Sequence, residues 1–149
     1  MVGSSTAKKP TNAEMRAFLD TNILVYAEAV DEAVKRQKAQ ILLQNHFLAG
    51  TGVVSTQVLQ EYCNVALRKL KMPHDHVVSQ LEFFEQFEVV QVTPILVREA
   101  VALMKTRALS YFDALIVVSA LAVNCDVLWS EDMNPGEFIG TLQIQNPYA

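Results

Sequence analysis

Cysteine is scarce in this 149-residue chain, which has two, and neither Cys63 nor Cys125 belongs to a CxxC pair or a Cys/His cluster. A disulfide framework and a structural zinc site are therefore excluded, and a reducing, cytoplasmic home is expected. Long apolar runs are missing too. The longest, residues 114–123 interrupted at Ser119, reaches half of the ~20 residues that a membrane-spanning helix needs. Positive charge is not in excess, since the net charge is −4. No molecule-wide field draws the chain onto nucleic acid or anionic lipid, so a nucleic-acid substrate would have to be held by a local site. Internal repeats and low-complexity blocks are also absent. Charged residues are few, at 19%, and hydrophobic ones reach 51%, against usual values of about 25% and 45–50%. That imbalance points to apolar surface covered by a partner.

Organisation along the chain is simple. Residues 1–15 are polar, and Lys8 and Lys9 are not followed by the apolar segment of about 7 to 15 residues that a signal peptide carries. They are expected to form a flexible tail, leaving residues 16–149 as one domain of ordinary size. Short runs rich in Val, Ile, Leu and Phe at 16–19, 52–54, 89–93, 127–130 and 142–144 read as buried strands. Between them apolar residues recur at helical spacing: Val34, Ile41, Leu42 and Leu48; Val58, Tyr62, Val65 and Ala66; Val77, Leu81, Phe84 and Phe87. Thr93 followed by Pro94 marks a helix start leading into Val97, Ala100, Val101 and Met104, and a further helix begins after Ser110. Strands alternating with helices predict an α/β fold of three layers, a central mostly parallel sheet flanked by helices. Ligands in such sheets bind at the carboxyl ends of the strands.

Four acids occupy telling positions. Asp20 follows the apolar strand AFL and opens DTNILVYA, while Asp132 follows the strand of DVLWSED, so parallel strands would bring both to one edge. Glu61 shares a helical stripe with Val58 and Val65. Asp113 stands three residues after Ser110, a capping-box spacing with Asp in place of Glu. Each acid alone has a structural reading: turn or cap for Asp20 and Asp132, helix margin for Glu61, cap for Asp113. Together they could converge, and like charges sharing a pocket are best explained by a bound divalent cation. Oxygen-only ligation favours Mg²⁺ or Mn²⁺ over zinc. Such ions activate water and neutralise phosphate charge, which is the chemistry of phosphodiester hydrolysis. In the SED segment, strand alternation puts Leu128, Ser130 and Asp132 on one face and Val127, Trp129 and Glu131 on the other.

The succession DTNILVYA, STQVLQEYCNVALRKL and SYFDALIVVSALAVNCDVLWSEDM resembles the PIN-domain nucleases, especially the VapC-type toxins of bacterial toxin–antitoxin pairs. The match covers nearly all of the chain after the tail. Phe112 stands where relatives often have Trp. The resemblance implies a PIN-like fold and a Mg²⁺- or Mn²⁺-dependent endoribonuclease. It assigns the family acids to Asp20, Glu61, Asp113 and Asp132, with Asp20 and Asp113 as metal ligands, Glu61 and Asp132 completing the pocket, and Asn22 and Ser130 as accompanying polar residues. It further implies an RNA substrate, a homodimer and a cognate antitoxin that covers the active groove, with no membrane association.

Basic residues near these acids are candidates for holding phosphate: Arg68, Lys69 and Lys71 after Glu61, and Lys105 and Arg107 before Asp113. They serve equally well as cations at helix C-termini. The three histidines show no ligand spacing, and His74 and His76 beside Pro73 read as a polar helix entrance. Two alternatives stay open: a PIN nuclease of RNA maturation, and a metal-free α/β binding module whose acids are caps and turns. An aspartyl-phosphate phosphatase would want a carboxylate two residues after Asp20, where Asn22 stands.

Overall fold

A computed structural model describes residues 15–149; the expected tail, apart from Met15, lies outside the described residues. The chain runs β1 (Ala17–Leu19), α1 (Thr21–Tyr26), α2 (Ala33–Ala49), β2 (Gly52–Ser55), α3 (Thr56–Arg68), α4 (His74–Phe84), β3 (Glu88–Val90), α5 (Pro94–Met104), α6 (Tyr111–Ala122), β4 (Val127–Trp129), β5 (Phe138–Ile139) and β6 (Leu142–Gln145). The sheet has the order β3-β2-β1-β4-β6-β5, and every pairing is parallel except β5 with β6. Ala17, Phe18 and Leu19 are fully buried, as are Val53, Val54 and Leu128. A strand buried on both faces requires layers above and below it, so the α/β arrangement expected from alternation is what forms.

Sheet order locates the site. From β1 the chain moves outward to β2 and β3, then returns to lay β4 against the other side of β1. This reversal leaves a crevice between the carboxyl ends of β1 and β4, the usual place for a ligand in an open parallel sheet. Local capping starts the helices there. Asp20, Ser55, Thr93 and Ser110 each accept a backbone N–H with the side chain, from Thr21, Val58, Leu96 and Asp113 respectively. Ser55 is the last residue of β2 and Asp20 directly follows β1, so these two residues close a strand and open the next helix.

Several boundaries depart from expectation for physical reasons. β3 is an edge strand and stops at Val90 rather than Thr93, because its only neighbour, β2, turns into α3 after Ser55 and leaves nothing to pair with. Thr56 Oγ1 instead accepts the freed Val92 N–H at 3.1 Å. β5 carries no readable period in two residues, and it forms because Gly140, at φ 60°, closes a tight turn onto β6. The six-residue α1 follows β1 after Asp20 alone and is too short for a helical period to show. In α2 the helix is as expected but its face is not: Val34, Ile41 and Leu48 are exposed while Ala39, Leu43 and His46 are buried. α4 ends at Phe84, so Phe87 packs from the following turn. Residue 130 has left β4, so strand alternation does not extend to Glu131 and Asp132. Cys63 and Cys125 are both free thiols, and among the described residues no helix is long and apolar enough to cross a membrane.

Gly52 opens β2 against a packed aromatic cluster. A Cβ at this position would stand 2.4 Å from Phe87 Cδ1, and Phe87 is wedged among Phe47 and Phe83. Gly52→Ala is expected to destabilise the fold by roughly 1 to 3 kcal/mol through overpacking. Urea unfolding with a midpoint equal to that of the wild type would contradict this account of β2.

Candidate active site

The register of β1 against β4 builds the floor of the crevice. Leu19 pairs with Trp129, and the Asp20 N–H continues the ladder to Trp129 O at 3.1 Å, so Asp20 and Ser130 leave the sheet side by side. Asp20 Oδ1 accepts the Thr21 N–H at 2.7 Å, and Oδ2 accepts the Ser130 hydroxyl at 2.8 Å. Ser130 Oγ in turn accepts the Asp132 N–H at 3.3 Å, and Asn22 Nδ2 lies 3.4 Å from Asp132 Oδ2. Two strand ends and the first turn of α1 are thus joined through side chains. Asn22 and Ser130 do accompany the acids in space.

Helices supply the other two carboxylates. Glu61 projects from the second turn of α3, and Asp113 from the first turn of α6, where the Ser110 cap accepts its N–H at 3.2 Å. Asp20, Glu61, Asp113 and Asp132 all line one cavity of about 600 Å³, together with Asn22 and Lys69. Among the described residues six of the lining side chains are acidic, counting Asp31 and Glu32, against the single basic Lys69. A polyanion would meet a negative wall here unless cations intervened.

Crowding of charge is visible in the acids themselves. Burial pushes Asp20 up to about 6, the Ser130 and Thr21 hydrogen bonds pull it partly back, and the Glu61 and Asp113 charges raise it again. Glu61 is raised by burial and by Asp113, with Gln57 and Thr21 pulling the other way. Asp113 is raised by burial and by Asp132, and lowered by Ser110. The donor set is therefore all oxygen and mutually repelling, which fits a hard divalent cation in kind. In arrangement, no group of three or more His, Cys, Asp or Glu side chains among the described residues is placed to hold a metal ion.

The expected phosphate-holding residues divide. Lys69, just past α3, lines the cavity; Arg68 does not. Lys71 lies beyond the helix at φ 54°, not on it. Arg107 is engaged by Glu137 at 2.8 Å and lines a neighbouring cavity that shares Asp113 and Asp132. Glu131 pairs with Lys35 and lines neither cavity. Sequence reasoning did not single out Thr21 or Gln57, which also line the site. Gln57 stands one helical turn before Glu61, so the four-residue spacing carried the signal.

Residues 17–136 match the PIN domain family. The chain belongs to that family. No curated protein sequence matches it significantly, but its fold is shared with solved toxins. VapC20 of Mycobacterium tuberculosis, a sarcin–ricin loop cleaving toxin, is 18% identical over 78% of this chain and 89% of its own, with a TM-score of 0.64. A toxin–antitoxin complex from Klebsiella pneumoniae is 21% identical over 89% of this chain and 98% of the other, with a TM-score of 0.64. VapBC2 from Rickettsia felis, solved with a DNA fragment from its promoter, is 24% identical over 87% and 97%, with a TM-score of 0.58. The PIN domain match ends near Gly136, so it takes in the reversal of the sheet and all four acids and leaves out β5 and β6.

The raised Asp20 has a consequence for stability. Its folded value of about 6 lies above its ordinary value of 3.8, so between these the folded protein holds the proton more tightly than the unfolded chain. Stability contributed by this group is therefore lost as pH rises through that window, on the order of 2 to 3 kcal/mol in total. In chelator, the wild type should melt higher near pH 5 than at pH 7 as far as Asp20 is concerned. Asp20→Asn should flatten this slope and melt higher at pH 7. A lower melting temperature for the variant at pH 7 would make Asp20 a structural cap.

Proposed function

We propose that this PIN domain is a divalent-metal-dependent endoribonuclease, the toxin of a toxin–antitoxin pair. The observation that carries the reading is the convergence of Asp20, Glu61, Asp113 and Asp132 on one cavity at the reversal of the sheet, in a chain whose fold matches VapC toxins. Asp20 and Asp113 are the metal ligands in this reading, with Glu61 and Asp132 completing the pocket. Mg²⁺ keeps several waters and commonly takes only one or two protein carboxylates, so a site without a chelating trio suits it. When bound, Mg²⁺ or Mn²⁺ supplies charge neutralisation for the scissile phosphate and acidifies water.

The chain's own residues do the rest. Ser130 and the Thr21 N–H fix the Asp20 carboxylate in one orientation, and Asn22 does the same for Asp132. Lys69 offers the cavity a positive charge for a phosphate, and Arg107 lines the neighbouring cavity with part of its charge answered by Glu137. Arg68 is left as a solvent-facing contributor at most. A cognate antitoxin and a second copy of the chain are the partners proposed. Exposed apolar residues support covered surfaces of both kinds: Val34, Ile41 and Leu48 on α2, and Ile95, Val101 and Met104 on α5. The cytoplasm is the proposed location.

Purified, antitoxin-free protein incubated with defined RNAs should cleave them with Mg²⁺ and stop in chelator. Asp20→Asn or Asp113→Asn should abolish cleavage, by at least a hundredfold, while the helical circular dichroism stays intact; wild-type rates in either variant would sink the assignment. After chelation both Mg²⁺ and Mn²⁺ should restore activity, whereas recovery with Zn²⁺ alone would contradict an oxygen-ligand pocket. Adjacent acids provide a sharper comparison. Asp132→Ala should lose cleavage at saturating Mg²⁺ and Glu131→Ala should keep it, because Glu131 is turned to Lys35; the reverse pattern would overturn the choice between them.

A further inference from the structure

Asp132 differs from the other three acids in how it is held. Asp20 directly follows a buried strand, and Glu61 and Asp113 ride on helices, whereas Asp132 lies in the loop from β4 to β5 and is exposed. Its own contacts are long: its N–H meets Ser130 Oγ at 3.3 Å, and Asn22 Nδ2 lies 3.4 Å from its Oδ2. Bonds near the upper limit of length fix a carboxylate poorly. What places it must then come from its neighbours in sequence, and both are anchored. Met133 is buried in the core, and Glu131 forms the ion pair with Lys35.

Lys35 stands where its own helix disfavours it. It is the third residue of α2, and a cation in a first turn faces the positive end of the helix dipole. Its surroundings compensate. Lys35 Nζ pairs with Glu131, donates to the Tyr26 hydroxyl at 3.3 Å, and lies over the rings of Tyr26 and Tyr148 at 4.7 and 5.6 Å from their centres. The two rings meet edge to face at 5.2 Å, and aromatic faces attract a cation. With side chains only 29% and 24% exposed, Lys35 and Glu131 are not the loose surface pair that contributes little. Tyr26 also lines the acid cavity, and it follows Asn22 by four residues on α1, so the two share a helix face. Helix α1 thus meets the loop twice, through Asn22 at Asp132 and through Tyr26 and Lys35 at Glu131.

We propose that Lys35 is a positioning residue for Asp132: with its ammonium held against Tyr26 and Tyr148, it grips Glu131, fixes the loop after β4, and so presents the Asp132 carboxylate to the cation in one place. The inference rests on the cavity being a divalent-cation site. To that reading it adds a support that includes Tyr148, a residue beyond the end of the family match at residue 136. Positioning and simple electrostatics predict opposite signs. Removing the Lys35 charge deepens the negative field of the cavity, which by itself tightens the binding of a cation. Releasing the Asp132 loop weakens it.

The test is binding, read without RNA. Mn²⁺ is titrated into the full chain and the free ion followed by electron paramagnetic resonance. Lys35→Met should bind Mn²⁺ about tenfold more weakly than the wild type, and Lys35→Arg, which keeps the cation, should recover most of that loss. In an Asp132→Ala background Lys35→Met should cause no further loss, because its effect passes through Asp132. Equal or tighter binding in Lys35→Met, or the same tenfold loss with Asp132 already removed, would overturn the proposal. If Lys35→Met does not fold, Glu131→Gln carries the same comparison: weaker binding with Asp132 present and no further loss without it, where a purely electrostatic role would weaken binding in both backgrounds. Failure here with RNA cleavage by the wild type intact would leave the nuclease reading standing. Lys35-dependent Mn²⁺ binding without cleavage of any RNA would remove the nuclease reading and keep this one, and a wild type that binds no Mn²⁺ would remove both.

Discussion

The pairing of β1 with β4 is the constraint on which the rest depends. Leu19 opposite Trp129 sends Asp20 and Ser130 out of the sheet together, and the 2.8 Å hydrogen bond between their side chains ties the two strand ends. A shift of this register by one residue would exchange the faces of every side chain in a fully buried strand. It would also separate Asp20 from Ser130 and Asp132 from Asn22. Burial of Phe18 and Leu128 on the interior strands therefore secures a polar arrangement at their ends: packing energy holds the chemistry in place.

That arrangement is one a fold would not adopt for stability. Burial and neighbouring charge both raise Asp20, Glu61 and Asp113 from their ordinary values. The hydrophobic interior offsets this cost. Local hydrogen bonds orient the acids without neutralising them, so the cavity keeps its negative field. The same field that suits a cation repels a polyanion, and Lys69, the one basic residue on its wall among the described residues, does not reverse it.

Elsewhere the apolar excess of the composition is spent on surface. α2 turns Val34, Ile41 and Leu48 outward while small Ala39 and the buried His46 face the sheet, with His46 held to Thr51 at 2.8 Å. α5 likewise exposes Ile95, Val101 and Met104 and buries Leu96 and Ala100. Helical periodicity in the sequence marks an apolar stripe but does not say which body covers it.

Much of the site was legible in the sequence, because its local signals are strong. Apolar runs followed at once by Asp20 and by Ser130–Asp132 place acids at strand ends, and Ser110 three residues before Asp113 carries a helix-start signal that α6 follows. Thr93–Pro94 behaves likewise. The sequence by itself determined the alternation of strands and helices, hence the parallel sheet, and the candidate acids, two at strand ends and two on helices. Only the tertiary structure decided which strands are neighbours and where β3 runs out of a partner. It alone turned Glu131 toward Lys35 and Asp132 toward Asn22, since the chain has left β4 and no period governs them. It alone brought Gln57 against the carbonyl of Phe112, a contact between residues 55 positions apart. Local propensity acts over a turn or a strand. Relations between distant segments are set by how complementary surfaces pack, and no pattern along the chain records that.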